Sequence, residues 1–199
     1  KTKFKLKFIF AGSSVMFAAK IGKTFNEKDI FKTTNSDYYG KYKIDSYKYI
    51  LKMKKKFSFN ASTAILFNHD SIYRNKKFLV PKLIKAFKQK NLKFIKKIYS
   101  LDISGDFSHA EDICNGIYKL SLLKRNIDKI ILSSGKRFYL NNVIKYLQKY
   151  FNLEIQTIKI NKTKNFKIIG SNLLAKKMLG YKTKKNLINV CREILSNYS

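Results

Sequence analysis

Apolar residues alternate with other positions at the start of the chain, which is the spacing of a β-strand with one buried face. The alternating positions are Phe4, Leu6, Phe8 and Phe10. The apolar run then stops at a glycine followed by two serines. We therefore predict a first strand that ends at Gly12-Ser13-Ser14.

Helical and strand-like segments alternate along the rest of the chain. Helical spacing of apolar residues predicts helices over about 38–56, 81–89, 141–150 and 184–196. Ser108 and Glu111 match a capping box in front of another helix, and Gly180 would stop a short helix that Ser171 caps. Strands are predicted at 57–67, 93–99, 129–133 and 154–160, and a polar loop at 68–77. This alternation predicts an α/β fold with a largely parallel sheet.

Basic residues dominate the charge: 43 Lys and Arg stand against 12 Asp and Glu, a net charge of +31. Such a surface attracts polyanions. However, only four of the basic residues are Arg, the residue that reads bases through paired hydrogen bonds. The abundance of Lys, Asn, Ile, Phe and Tyr is typical of an AT-rich genome, so we interpret the charge as compositional drift rather than nucleic-acid binding. It still favours anionic ligands, including nucleotide sugars.

Cysteines and histidines show no spacing typical of a disulfide or metal framework. Cys114 and Cys191 lack CxxC spacing, so we interpret both as core thiols in a protein of the reducing cytoplasm. His109 is expected to be structural at a helix start, and His69 to lie in a loop that positions a strand end. No apolar run approaches the roughly 20 residues of a membrane span, and no signal-peptide pattern opens the sequence.

Tyr39 and Lys43 are one helical turn apart and would share a helix face. A phenol is a weak base at neutral pH because its ordinary pKa is about 10. A neighbouring ammonium lowers that pKa, so such a tyrosine can exchange a proton with a substrate hydroxyl. The spacing alone is weak support for a catalytic pair, because Tyr73–Lys77 and Tyr181–Lys185 have the same spacing. A Tyr and a Lys so spaced are more often a solvated pair on a helix surface.

The order of these features carries more information than the spacing. A strand with a serine-rich end, a Tyr-x-x-x-Lys helix and a strand followed by Asn68 resemble the extended short-chain dehydrogenase/reductases, the NAD-dependent epimerase/dehydratase family. Ile65–Arg74, which reads ILFNHDSIYR, is similar to the ILFNHESPRRG stretch of GDP-mannose 4,6-dehydratases. Leu101–Asp112 resembles their LDAKRDWGHAKDY stretch, and Gly170–Tyr181 their GDPSKAKKKLGW stretch.

The resemblance implies an incomplete Rossmann-like parallel sheet plus a smaller mixed α/β substrate domain. The NAD(P)-binding part would cover residues 1–68 and the nucleotide-sugar part residues 69–199, with about 109–134 packing back on the Rossmann part. The cofactor would be NADP or NAD and the partner a nucleotide sugar. By analogy we also expect a homo-oligomer, either a dimer or a tetramer.

The same resemblance implies a role for individual residues. Ser13 would orient the sugar C4 hydroxyl, Tyr39 would remove its proton, and Lys43 would tune Tyr39 and hold the nicotinamide ribose. Asn68 would contact both the cofactor and the sugar nucleotide. Further contacts would come from Arg74 to the cofactor and from Val80 and Lys82 to the substrate. No metal ligands are implied.

Several positions depart from the family pattern. Val15 stands where the dehydratases have the glutamate that takes the C5 proton, Gly105 replaces an arginine and Leu174 a lysine. The nucleotide-clamping arginine has no clear counterpart, and Lys162 or Lys164 could replace it as a point charge. The sequence also contains no G-x-G-x-x-G turn. We therefore expect the gene to encode about a hundred further N-terminal residues, the size of a small domain.

Three classes of function follow from these observations. The first is an enzyme of the GDP-mannose to GDP-4-keto-6-deoxymannose type, a lyase, or an epimerase or oxidoreductase that does not dehydrate. The second is a non-catalytic fragment of the family, which Val15 and the missing glycine turn favour. The third is a basic nucleic-acid-binding protein, which the excess of lysine over arginine disfavours.

Overall fold

The computed structural model describes residues 6–17, 23–34, 36–155 and 168–197. The strands are β1 (Lys7–Ser13), β2 (Thr24–Phe25), β3 (Asn60–Leu66), β4 (Asn68–Asp70), β5 (Ser104–Gly105), β6 (Phe107–His109), β7 (Lys129–Leu132), β8 (Phe138–Tyr139) and β9 (Ile169–Gly170). The helices are α1 (Tyr38–Phe57), α2 (Leu79–Lys88), α3 (Leu92–Ser100), α4 (Ala110–Leu122), α5 (Leu140–Tyr150), α6 (Leu173–Leu179) and α7 (Leu187–Ser196). The molecule is thus α/β, as the sequence predicts.

The central sheet is parallel, with the strand order β1-β3-β7. In its register Gly12 lies opposite Ile65, which in turn lies opposite Ile131. The remaining strands form three two-stranded sheets: β2 with β9 and β4 with β6, both parallel, and β5 with β8, antiparallel. Because parallel strands place their carboxyl ends at one edge, the residues after β1 and β3 meet there.

Helix α1 begins where Asp37 caps it. One oxygen of the Asp37 carboxylate accepts a hydrogen bond from the backbone N–H of Gly40 at 2.8 Å, and the other accepts one from the Thr33 hydroxyl at 2.9 Å. A Cβ at Gly40 would lie only 2.5 Å from this carboxylate, so glycine is required for the cap. Ile44 and Tyr47 then bury the inner face of the helix.

Two apolar clusters hold the two ends of the molecule. The larger joins the inner faces of α2, α3, α5 and α7, including Phe87, Ile95, Leu147 and Val190. The other packs α4 and α6 on the central sheet, where Gly116 approaches Leu132 so closely that a Cβ would meet it at 2.9 Å. None of the helices formed by the described residues is long and apolar enough to cross a membrane.

The segment predicted as a strand at 93–99 is wrong, because it lies in helix α3. Asn91 caps this helix by accepting a hydrogen bond from the N–H of Phe94. Ile95 and Ile98 then fall on one buried face, three residues apart. This helical spacing outweighs the strand propensity of the isoleucines.

The predicted capping box at Ser108 is also wrong. Ser108 lies in β6, and His109 is the cap residue of α4, with its Nδ1 accepting from the N–H of Glu111 at 3.1 Å. The imidazole can do this because its Nδ1 is bonded to Cγ, like the cap oxygen of an asparagine or aspartate, and can accept a hydrogen bond.

Smaller predictions have mixed outcomes. Residues 68–70, predicted as loop, form the strand β4 because β6 offers them a partner.

Cys191 is buried as expected, and burial raises its pKa to about 12. Cys114 is exposed rather than in the core, because it lies on the outer face of α4. Most of the predicted strand at 154–160, and both Lys162 and Lys164, lie outside the described residues.

Candidate active site

A pocket of about 290 Å³ opens at the carboxyl ends of β1 and β3. Its walls come from the end of β1, the first turns of α1 and the segment from β3 through β4. It is lined by Ala11, Gly12, Ser13, Ser14, Val15, Tyr39, Lys43, Leu66, Phe67, Asn68, His69 and Arg74. The structure therefore brings together five of the predicted site residues, which are Ser13, Tyr39, Lys43, Asn68 and Arg74.

Ser13 lies where β1 turns into a short 3₁₀ helix, Ser14–Met16. Its hydroxyl oxygen accepts a hydrogen bond from the N–H of Val15 at 3.4 Å. Gly12, just before it, leaves space for the neighbouring strand, since a Cβ there would lie 3.0 Å from the Thr63 methyl group. The turn thus fixes the serine side chain at the mouth of the pocket.

Tyr39 and Lys43 project from the first two turns of α1. The Lys43 ammonium donates a hydrogen bond to the Ala11 carbonyl oxygen at 2.8 Å, which ties the helix to the end of β1. The ammonium also lies 5.5 Å from the centre of the Tyr39 ring and 4.9 Å from that of Phe10. A positive charge therefore lies beside the phenol, which is 56% exposed towards the open side of the pocket.

Asn68 and His69 form the wall opposite α1, in strand β4. The Asn68 side-chain amide donates to the Asp106 carbonyl oxygen at 3.2 Å. His69 Nδ1 lies 2.8 Å from the Phe67 carbonyl oxygen. Both side chains are half-buried, so each presents one edge to the pocket.

Arg74 closes one side of the pocket. Its Nε lies 3.8 Å from an oxygen of Asp70, and its guanidinium stacks over the Phe78 ring at 3.7 Å. Burial raises the pKa of Asp70, while the charge of Arg74 opposes the rise. The guanidinium is thus held by a ring face and a single carboxylate contact, which leaves its other N–H groups for an anion.

Asp106 is a structural residue beneath the site that the sequence did not reveal. It is fully buried, and its carboxylate accepts hydrogen bonds from the backbone N–H groups of Ser134, Gly135 and Gly170 and from the Ser134 hydroxyl. Burial raises its pKa, although these donors pull it down. The residue lies in the Leu101–Asp112 stretch that resembles the family, but its role of joining residues 134, 135 and 170 depends on tertiary packing.

Two predicted substrate residues lie away from this pocket. Val80 is 2% exposed and packs inside the helical cluster with Leu83 and Ile84. Lys82 points from α2 into a separate groove that lysines line. By contrast, Val15 lines the pocket itself and is 37% exposed.

The chemistry available in the pocket follows from its side chains. The lining contains a hydroxyl, a phenol, an ammonium, an imidazole, a guanidinium and an amide, but no carboxylate. Such a set can orient and deprotonate a hydroxyl group and can attract phosphates. Among the described residues, no three His, Cys, Asp or Glu side chains are grouped as metal ligands.

A family model described as GDP-mannose 4,6 dehydratase matches residues 1–194 of the chain. This match covers nearly the whole sequence, including every residue of the pocket. No protein with curated annotation matches the chain significantly.

Solved structures show the same fold at low identity. RMD from Pseudomonas aeruginosa, complexed with NADPH, is 17% identical with a TM-score of 0.78, and the match covers 98% of this chain and 66% of that one. UDP-glucuronic acid 4-epimerase from Bacillus cereus, in complex with NAD, is 17% identical with a TM-score of 0.75. The match covers 97% of this chain and 62% of that one.

A third similar structure is UDP-N-acetylglucosamine 4-epimerase from Methanobrevibacter ruminantium, in complex with UDP-N-acetylmuramic acid. It is 14% identical with a TM-score of 0.74, and the match covers 96% of this chain and 63% of that one. The chain therefore spans between 62% and 66% of the length of these three structures.

Proposed function

Because the chain belongs to the GDP-mannose 4,6 dehydratase family, whose members are nucleotide-sugar dehydratases and epimerases, we propose that it carries the catalytic half of such an enzyme. The reaction would be oxidation of the sugar C4 hydroxyl, loss of water across C5–C6 and return of the hydride from the cofactor to C6, as from GDP-mannose to GDP-4-keto-6-deoxymannose. The observation that supports this most is the single pocket shared by Ser13, Tyr39, Lys43, Asn68 and Arg74.

In this proposal three side chains handle the C4 hydroxyl. Ser13 accepts or donates a hydrogen bond that orients it, and Tyr39 takes its proton. Lys43 supplies a positive charge 5.5 Å from the centre of the ring, and its hydrogen bond to the Ala11 carbonyl keeps it there. Asn68 and Arg74 lie where they can bind the phosphates of a nucleotide.

A nicotinamide dinucleotide, NAD or NADP, fits the pocket residues and would supply the hydride acceptor. Tyr39 and Lys43 offer a phenol and an ammonium to its ribose, and Arg74 offers guanidinium N–H groups to a phosphate. The similar solved structures contain NADPH or NAD, as their descriptions state. The glycine-rich turn that would hold the pyrophosphate is not in this sequence, so tight binding would need a further part of the fold.

A second candidate is oxidation or epimerisation without dehydration. Val15 favours it, because a valine side chain in the pocket cannot take a proton. C4 oxidation itself needs only Ser13, Tyr39 and Lys43. Two of the similar structures are epimerases by their descriptions.

We also propose the division of the chain that the resemblance implies. Residues 1–68 would belong to the NAD(P)-binding domain and 69–199 to the nucleotide-sugar domain, with 109–134 returning to the first. The pairing of β7 with β3 supports the last point. The assembled enzyme would be a homo-oligomer, a dimer or a tetramer.

The test is to incubate the protein with GDP-mannose and NADP and to follow the sugar nucleotide by mass spectrometry and by proton NMR, which detects an epimer of unchanged mass. A 4-keto product lighter by one water supports the dehydratase, and a 4-keto or epimerised product that keeps all its oxygens supports the second candidate. An unchanged sugar nucleotide with measurable cofactor binding would refute both and favour a non-catalytic fragment.

A further inference from the structure

His69 is the pocket residue to which none of the steps above gives a chemical role. It follows Asn68 in β4 and lines the same pocket as Ser13 and Tyr39. Imidazole is the side chain that most readily gains and loses a proton near neutral pH. The other ionisable groups in the lining are a phenol, an ammonium and a guanidinium, side-chain types whose ordinary pKa values lie well above neutral pH.

The contact with Phe67 determines which nitrogen of His69 is basic. Nδ1 lies 2.8 Å from the Phe67 carbonyl oxygen, and a carbonyl can only accept a hydrogen bond. Nδ1 must therefore carry the proton in the neutral ring. The lone pair that can take up a proton is consequently on Nε2, at the far end of the ring from the backbone.

A 4-keto sugar requires such a base. The hydrogen on C5 is acidic because the ketone at C4 can accept the electron pair, but a positioned base must remove it for the reaction to be fast. No carboxylate lines the pocket, and position 15 is a valine. Within the described residues His69 is the single lining side chain that is a competent base in its neutral form.

We propose that His69 Nε2 removes the proton from C5 of a 4-keto nucleotide sugar and returns it. In this step the C5–H bond breaks and its proton moves to Nε2. The bonding electron pair forms a C4–C5 double bond, and the negative charge collects on the C4 oxygen. Nothing is oxidised or reduced. The inference rests on the proposed function for the origin of the ketone, but the step itself needs only a 4-keto sugar in the pocket.

The surroundings of His69 are consistent with this role. The N–H of Nδ1 remains bonded to Phe67 throughout, which keeps the ring from turning. Ser13, in the same pocket, offers a hydroxyl to the C4 oxygen that becomes negative.

The experiment supplies the ketone directly, so that it does not depend on the oxidation step. The protein is incubated with GDP-4-keto-6-deoxymannose in D₂O without cofactor, and proton NMR follows the C6 methyl group. Exchange at C5 turns the methyl doublet into a singlet. We expect His69→Asn to slow this exchange at least about 100-fold, the usual contribution of a general base.

The variants distinguish loss of the base from loss of the fold and from loss of the oxidation step. In His69→Asn the amide can still donate to the Phe67 carbonyl, and His69→Gln places an amide near the position of Nε2, so both remove the base while filling the space. Tyr42→Phe, on the same helix as Tyr39 but outside the pocket lining, should keep full exchange on the ketone. Circular dichroism and thermal melting show whether each variant folds.

The outcomes are distinct. Exchange that survives in both folded His69 variants, or that falls equally in Tyr42→Phe, overturns the assignment of the base, and absence of exchange in the unmodified protein overturns it as well. Exchange that depends on His69 supports the inference even where GDP-mannose and NADP give no ketone. In that case only the proposed oxidation fails.

Discussion

The ammonium of Lys43 has two different neighbours in the pocket. It donates a hydrogen bond to the Ala11 carbonyl and lies 5.5 Å from the centre of the Tyr39 ring. The first contact fixes where the charge lies, and the second places that charge beside the phenol. The pair is thus held by the sheet as well as by helical spacing, unlike a solvated pair on a helix surface, which is worth only a few tenths of a kcal/mol.

Replacing Tyr39 by phenylalanine removes the proposed proton acceptor and little else. Because the side chain is 56% exposed, we expect the free energy of unfolding to change by less than about 0.5 kcal/mol. Turnover should slow at least about 100-fold, measured as the 4-keto sugar nucleotide formed from GDP-mannose. Tyr42→Phe is the matched control, since Tyr42 is on the same helix, 61% exposed and outside the pocket lining. Equal rates for the two variants would contradict the role of Tyr39.

The sequence could identify site residues at the ends of strands and helices, but it could not show which residues join distant segments. The order of Ser13, Tyr39 and Asn68 along the chain resembles that of the epimerase/dehydratase family, and this resemblance predicted that they share one site. Asp106 binds backbone groups of residues 134, 135 and 170, and that meeting depends on tertiary packing. The burial of Val80 inside the helical cluster also depends on tertiary packing.

Among the helices, α4 and α7 are joined by a small charged cluster. His109 Nε2 lies 2.8 Å from one oxygen of Glu193, and the Lys185 ammonium lies 2.9 Å from the other. Lys185 also contacts Glu111 at 2.6 Å. Partial burial alone would raise the pKa of Glu193, but the hydrogen bonds from Lys185 and His109 lower it below its ordinary value.

Glu193→Gln should therefore change how stability depends on pH. A lowered pKa means that the ionised Glu193 stabilises the folded state above about pH 4.5, its ordinary pKa. This stabilisation is lost as the pH falls through the lowered folded value. At pH 7 we expect the variant to be less stable by about 0.5–1 kcal/mol, because the pair is partly exposed.

Urea unfolding at pH 7 and at pH 3 tests this expectation. The difference between the variant and the unmodified protein should shrink at the lower pH. Glu154→Gln is the matched control, because it removes the same charge at an exposed position in the segment after α5. A loss of stability that is equal at both pH values would show that the cluster acts through packing alone.

Elements with strong caps or one long apolar face were predictable, and short ones were not. Helix α1 has both an aspartate cap and buried Ile44 and Tyr47, so its limits followed from the sequence. Helix α3 is nine residues long and rich in isoleucine and aromatics, a composition that also suits a strand. Strand β4 is three residues long and exists only because β6 pairs with it.

At the scale of the whole molecule, the edge of the central sheet at β1 carries exposed apolar side chains, including Leu6 and Phe8. Among the described residues β1 pairs with β3 alone. Beside it lies an apolar groove of about 700 Å³, lined by Leu6, Lys7, Phe8, Tyr49, Ile50, Met53, Phe59 and Asn60. A strand edge without a partner among the described residues, next to exposed apolar side chains, is a site of association, whether with another part of a fold or with another molecule.

The 199-residue chain on its own should therefore self-associate through this surface, in spite of its charge of +31. Phe8 is 49% exposed and its ring packs edge-on against Phe59. Phe8→Lys places a charge in the groove, and we expect the dissociation constant of the associated species to rise about tenfold, equivalent to about 1.4 kcal/mol. Sedimentation velocity over a range of concentrations measures this. Leu122→Lys adds the same charge at a 63% exposed position on α4, so equal effects of the two variants would indicate simple charge repulsion and place the contact elsewhere.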